Sequence, residues 1–250
     1  MEDIRRAELL DLREYFPPGI RVLELGGGHG VQAAVLASWG CVVQSVDLAG
    51  RDIHGDLAFP IQDYDGVHIP FGDDSFDIVF SSNVLEHVVS LRELLGETRR
   101  VLVSGGTGLH LMPSPAWRFW TSVTHYVSVA QFGWARLRGH SIQQMGCFEG
   151  PRPEQVLAQK GSMYALRRAA LPGAHGEYPS SLTELARYHP IAWKRVFRSA
   201  GFHVDRVWGH GLFYAGYGLM PNLTLAGRRR VARILGSACN VFVTRPASQV

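Results

Sequence analysis

Apolar positions recur along this chain with two different periods, and the switches between them mark out its elements. Over residues 2–16, Ile4, Leu9, Leu12 and Phe16 fall near helical spacing until Pro17-Pro18-Gly19 stops the run. Arg21-Val22-Leu23-Glu24-Leu25 reads as a strand that closes on Gly26-Gly27-Gly28-His29-Gly30. Residues 31–39, rich in Ala and Leu, predict a helix with Gly40 at its C-terminal end. Residues 41–46 predict a second strand with Asp47 at its tip. This is a β-α-β unit with a glycine-rich first turn. Residues 75–81 are almost continuously apolar, as a strand buried on both faces of a parallel sheet requires. Ser90 and Glu93 have capping-box spacing, and Leu91, Leu94, Leu95, Thr98, Val101 and Leu102 give the following helix one apolar face. Gly105-Gly106 leads into a strand at 108–112, ended by Pro113-Ser114-Pro115. Downstream, residues 190–200 predict a helix stopped by Gly201, and 202–208 and 240–244 predict closing strands.

The sheet does not need two of the intervening stretches. Residues 113–180 hold Trp117, Phe119, Trp120, Tyr126, Phe132 and Trp134 interleaved with Arg118, Arg136 and Arg138. Residues 209–237 hold a Gly/Tyr-rich run and then Arg228-Arg229-Arg230. Structureless loops of this length are uncommon unless functional, so both read as substrate-side insertions with short helices of their own. On this reading residues 1–250 form a single domain, 1–112 being its cofactor-binding half. The charge agrees: residues 1–110 carry 8 basic and 17 acidic side chains, the remainder 17 and 5, within a net charge of only +3.

Composition narrows the class further. With 46% hydrophobic and 19% charged residues the chain is globular, neither disordered nor fibrous. It has no run of 18 apolar residues that would span a bilayer, and Met1-Glu2-Asp3 is unlike the basic start of a signal peptide. Cys41, Cys147 and Cys239 are odd in number and lack metal-ligand spacing, so a reducing cytoplasm, no disulfide framework and no metal are expected.

Glycines between a strand and a helix let the backbone pass close to a ligand and leave helix N-terminal N–H groups free. Nicotinamide, flavin and adenosylmethionine sites all begin this way, and Gly28-x-Gly30-x-x-Ala33 followed by Asp47 even meets the dinucleotide fingerprint. What surrounds the turn decides. Glu24-x-Gly26-x-Gly28-x-Gly30 resembles the first motif of class I S-adenosylmethionine-dependent methyltransferases. Residues 69–88, IPFGDDSFDIVFSSNVLEHV, resemble their "LPF…FD.V…LEH" block, and Arg100-Val101-Leu102-Val103-Ser104-Gly105-Gly106 is similar to their entry to strand five, with Ser104 in place of the usual proline.

The resemblance covers residues 20–112 well and the closing elements loosely. It implies a doubly wound, mostly parallel seven-stranded α/β sheet of Rossmann-like type, with insertions after strands five and six, and methyl transfer from S-adenosylmethionine to leave S-adenosylhomocysteine. The implied cofactor-binding set is Glu24 toward the methionine ammonium, Gly26 and Gly28 for close approach, Asp47 on the ribose hydroxyls with Leu48 beside it, Asp65 with Gly66 toward the adenine amine, and Asn83 toward the methionyl part. Asp63 rivals Asp65, and Glu86-His87 reads as a structural pair.

A methyl acceptor that is a hydroxyl or an acidic carbon needs a base. His125, beside Tyr126, and His110, at the mouth of strand five, are the candidates, with His140, His175, His189, His203 and His210 as further histidines. Trp117 and Arg118, with Tyr126, are expected to bind the acceptor, because indoles stack on rings and guanidinium groups hold phosphate. The expected partner is therefore a small-molecule or lipid-linked, anionic acceptor of sugar- or natural-product-tailoring type, with O-methylation favoured. Tryptophans with arginines also suit peripheral membrane contact. The chain has no RNA-binding module, which disfavours nucleic acid. Methylation of RNA or protein, and a cofactor-binding scaffold without transfer, are the alternative readings. Oligomeric state is not legible.

Overall fold

A computed structural model of the chain describes residues 2–50, 56–138, 172–216 and 222–247. The order runs α1 (Glu2–Leu10), β1 (Arg21–Leu25), α2 (Val31–Ser38), β2 (Val42–Leu48), β3 (Gln62–Tyr64) and β4 (Phe76–Ser82). It continues through α3 (Leu91–Val101), β5 (Leu102–Pro113), α4 (Pro115–Leu137) and α5 (Ser181–Arg187). It closes with α6 (Pro190–Ser199), β6 (Phe202–Gly209), α7 (Leu225–Leu235) and β7 (Cys239–Pro246). The chain divides into two compact units, one of residues 1–113, 190–210 and 239–250, the other of 114–189 and 211–238.

The first unit is a seven-stranded sheet in the order β3-β2-β1-β4-β5-β7-β6, parallel except that β7 pairs antiparallel with both β5 and β6. Alternation along each strand sends side chains to two cores. Leu23, Leu25 and Val79 face Leu94 and Leu95 of α3 and Trp193 and Phe197 of α6. Val22, Phe80, Leu109 and Leu111 face Leu9, Leu12 and Phe16 of the N-terminal segment and Leu36 of α2. Burying each of these side chains contributes about 1.5–3 kcal/mol, which fixes the strand register and so the loops at the strand ends.

Several expectations need adjustment. The first helix ends at Leu10, and the chain reaches Pro17 through a one-turn 3₁₀ helix at Arg13–Tyr15. The two prolines have no N–H to continue a helix, and the tighter turn carries Phe16 into the core. Edge strand β3 has no counterpart in the sequence reading, since three residues are too few to show a period. The Ser90–Glu93 pair does not form a capping box, because the Ser90 side chain makes no capping hydrogen bond; its carbonyl accepts from the Glu93 and Leu94 N–H groups instead. Strand β5 begins at Leu102 rather than 108, and its pairing with β4 is interrupted between Phe76 and Ile78.

The second unit contains α4, which at 23 residues is far longer than the short helices expected, with α5 and α7. Thr224 caps α7 by accepting the Gly227 N–H, and Ser180 caps α5 by accepting that of Thr183. No described helix is long and apolar enough to cross a membrane. Cys41 and Cys239 are buried thiols, while Cys147 and His140 lie outside the described residues.

Candidate functional site

The strand order reverses between β1 and β4, and in open α/β sheets ligands bind beyond the C-terminal ends of the strands at that point. A cavity of about 490 Å³ lies there, lined by Gly26 from the β1 turn, Asp47 and Leu48 from the end of β2, Asp65 and Gly66 after β3, and Asn83 after β4. Six residues singled out from sequence are thus brought to one cleft. Tyr64, Val67, Ser82 and Val84, which the sequence did not single out, also line it, as does His87 of the expected structural pair.

The glycine turn is fastened to β2, since the Gly26 and Gly27 N–H groups both donate to the Val46 carbonyl. Gly26 has φ 75°, and a Cβ there would overlap Val84 Cγ2, so the backbone can close on the loop after β4 only as glycine. Gly28 has φ 55° and open space where a side chain would stand. Its N–H donates to Asp47 Oδ2 at 2.7 Å, and Asp47 Oδ1 accepts the Leu48 N–H at 2.7 Å. Each carboxylate oxygen keeps further acceptor capacity, which suits a pair of neighbouring hydroxyls. Leu48 is half exposed, and Gly66 (φ 87°) is held against it. Apolar Leu48, Val67 and Val84 offer faces for a flat ring.

Glu24 lies behind the turn rather than in the cleft wall. It is 2% exposed and accepts from Ser45 Oγ at 2.6 Å. Burial pushes its carboxyl up to about 7, with the Asp47 charge adding to the effect and the Ser45 bond opposing it. Asp65 is exposed and closes its own loop: Oδ1 accepts the Val67 and His68 N–H groups and Oδ2 bonds His68 Nδ1 at 2.6 Å. Those bonds, the one to His68 foremost, lower it to about 2. Asp63, its rival, pairs in the β2–β3 ladder opposite Asp47 and is exposed. Burial, with Asp47 and Asp65 adding to it, pushes the Tyr64 phenol up to about 12, so it stays a neutral donor.

Asn83 adopts a left-handed backbone (φ 55°), which asparagine tolerates better than most residues, and its N–H donates to the Leu111 carbonyl at 2.9 Å. Its amide oxygen, turned toward α1, accepts from the Arg5 guanidinium, which also bonds fully buried Glu8 at 2.8 Å. Nothing local in the sequence ties Arg5 to this loop.

The substrate-side expectations fare differently. His110 does not stand at a mouth: it is fully buried, bonded to Ser81 Oγ through Nδ1 at 2.8 Å and stacked on Phe197 at 5.2 Å. Burial pulls it down to about 3, so it is a neutral core residue without access to an acceptor. Trp117 is buried against His175 and Tyr188. Arg118 is 1% exposed and its guanidinium is committed to Glu184 at 3.1 Å and the Gly173 carbonyl at 3.1 Å. A cation already neutralised inside its own unit is not an anion receptor. His125 is buried on α4 with its ring edge-on to Tyr126, which is half exposed.

A family model described as a methyltransferase domain matches residues 1–207. An uncharacterized methyltransferase from Mycobacterium sp. (strain KMS) is 31% identical over 188 residues, covering 72% of this chain and 70% of that protein. The biotin biosynthesis bifunctional protein BioHC of Cellvibrio japonicus is 30% identical over 160 residues, 57% of this chain but 31% of its own length. Among solved structures, an S-adenosylmethionine-dependent methyltransferase from Mesorhizobium loti superposes with a TM-score of 0.53 at 18% identity, covering 96% of this chain and 97% of that one.

Proposed function

Since the chain belongs to the methyltransferase-domain family, enzymes of class I fold that use S-adenosylmethionine, we propose that the cleft at the ends of β1, β2 and β4 holds that cosubstrate and delivers its methyl group to a small or lipid-linked anionic acceptor. The observation that carries the cofactor assignment is the joint placement of Gly26 and the Asp47 carboxylate on one cavity wall, with Asp47 fixed there by the Gly28 N–H. Asp47 takes the ribose hydroxyls, Leu48 and Val67 flank the adenine, and Asp65 with Gly66 borders its amine. Asn83 faces the methionyl end, and Glu24 supports the ammonium from behind the turn. The sulfonium of the bound molecule supplies an activated methyl group. The protein's own contribution is alignment, with which in-line displacement gains much of its rate.

The acceptor class rests on charge. Residues 114–189 and 211–238 carry 12 basic and 4 acidic side chains, and Arg229 and Arg230 on α7 are exposed. Such a field attracts anions and is screened over about 8 Å at physiological salt. With His110 enclosed, His125 is the histidine proposed to take a proton from a hydroxyl acceptor, and His125→Asn should lower kcat if it does so. Transfer of labelled methyl groups into polar-metabolite, lipid, RNA and protein fractions of a cell extract tests the reading. Label in the first two, weakened by salt and flattened by neutralising Arg228, Arg229 and Arg230 together, supports it. Label confined to RNA or protein refutes the acceptor class and leaves the family standing.

A further inference from the structure

On the longest described helix of the second unit, most of the buried side chains are polar and several large exposed ones are apolar. The buried side of α4 carries Arg118, Thr121, Thr124, His125 and Ser128 beside Trp117, whereas Phe119 (50% exposed), Val127 (41%) and Trp134 (57%) are turned outward. Spacings of 8 and 7 residues put these three within a single face of the helix, along about 22 Å of its length. Water does not reward such an arrangement, and large apolar groups rimmed by polar ones mark contact surfaces. Neither α4 nor α7 contains an acidic residue. The Trp120 indole N–H donates to the Leu235 carbonyl at 2.9 Å, which sets the last turn of α7 beside the first turns of α4. That turn exposes Ile234 (84%), and α7 also presents Arg230 and Arg233 to solvent. At the far end of α4 the Arg138 guanidinium lies 3.8 Å over the Trp134 ring. Tryptophan with a stacked arginine suits the boundary between acyl chains and headgroups, where the indole is half immersed and the cation meets phosphate.

We infer that α4 and α7 form a docking surface for an anionic lipid bilayer, with Phe119, Trp134 and Ile234 inserting between headgroups and the arginines of α7 pairing with lipid phosphates. Charge complementarity selects this occupant: the surface offers cations and apolar groups with no acid on either helix, the combination that interfacial helices use on anionic membranes. The inference adds to the proposed acceptor class, since docking at a bilayer brings the protein to lipid-linked substrates. Its test reads binding alone, so it can fail or hold apart from methyl transfer.

The full chain is floated with vesicles of phosphatidylcholine containing about 30% phosphatidylglycerol and with pure phosphatidylcholine, at low and physiological salt. Binding is expected to the anionic vesicles only and to weaken with salt. Each arginine near such a surface strengthens binding about fivefold, so Arg229→Glu, Arg230→Glu and Arg233→Glu combined should lower it at least about 100-fold. Phe119→Ser with Trp134→Ser should lower it about tenfold or more without changing its salt dependence. Brominated acyl chains should quench wild-type emission, and Trp134→Phe should remove that quenching. S-adenosylhomocysteine affinity, measured in parallel, should stay unchanged and shows that the variants fold. Equal binding to both vesicle types, undiminished binding by the Phe119/Trp134 variant, or a concentration-dependent dimer that Trp134→Ser abolishes would each overturn the inference. The second would indicate a general polyanion surface such as one for RNA, and the third an interface between copies.

Discussion

Replacing Glu24 by Gln tests the electrostatics beneath the glycine turn. The carboxyl is 2% exposed, and burial raises it from 4.5 to about 7. Between those two values the folded chain holds a proton that the unfolded chain has already released. Unfolding free energy therefore falls as pH rises across that window, and the contribution is lost above about 7. At about 1.4 kcal/mol per pH unit the whole loss is about 3 kcal/mol. Gln keeps an oxygen for the Ser45 hydroxyl and has no charge to desolvate, so Glu24→Gln should match the wild type near pH 4.5 and exceed it by up to about 3 kcal/mol at pH 8. Urea unfolding across pH 4.5–8 measures the difference, provided other carboxylates titrate alike in both proteins. A cationic ammonium near Glu24 would favour the ionised form. Adenosylhomocysteine should then bind the wild type more tightly as pH rises through 7 and release part of a proton, a pH dependence that Gln removes. Calorimetry in buffers of different ionisation enthalpy reads that proton directly. Parallel stability curves for the two proteins, with no proton released on binding, would refute both the burial argument and the assignment of Glu24 to the cofactor.

Three further outcomes follow from the geometry. Asp47→Ala should weaken adenosylhomocysteine by about 2–3 kcal/mol, about 30- to 150-fold in calorimetry, and an unchanged affinity would remove Asp47 from the site. Arg118→Ala leaves the Glu184 carboxylate buried without its cation and should lower stability by about 3–5 kcal/mol, whereas Arg118→Met with Glu184→Gln, which keeps an acceptor for the Gly176 N–H and the Tyr188 hydroxyl, should recover part of the loss; a stable single variant with weakened acceptor binding would return Arg118 to substrate recognition. Gly26→Ala brings a Cβ into Val84 at a positive φ and should destabilise by about 1–3 kcal/mol in thermal unfolding, partly relieved by Val84→Ala.

What could be read from the sequence was what chain neighbours enforce on one another. Gly26, Gly28 and Asp47 belong to one β-α-β unit, so their spacing alone carried them to the same strand ends. Asn83 followed from the buried strand just before it. Ser45, Val84 and Arg5 left no signal, because each meets its partner across separate segments: Ser45 meets Glu24 21 residues away, and Arg5 meets Ser82 77 residues away. Arg118 was misread for the same reason, since an arginine among tryptophans gives no hint of a carboxylate 66 residues downstream. His110 went astray on geometry. In a strand covered on both faces, alternation decides which core a residue enters, and position 110 points at Phe197 while its neighbours Leu109 and Leu111 enter the other core.

The antiparallel closure of the sheet also bears on how the protein is made. β5 acquires its second neighbour only when β7 arrives, and the Thr244 hydroxyl reaches the Gly108 carbonyl from 136 residues along the chain. A ribosome adds about 5–20 residues per second, so on a nascent chain β5 waits for several seconds with one edge of its ladder unpaired. During that interval a buried, apolar strand is a template for the wrong partner. Loops between β5 and β7 that close early would shorten the effective search, whereas slow translation of that region would prolong the exposure. Yield on expression should therefore depend on the codons of residues 114–238 more than their tolerance to substitution would suggest.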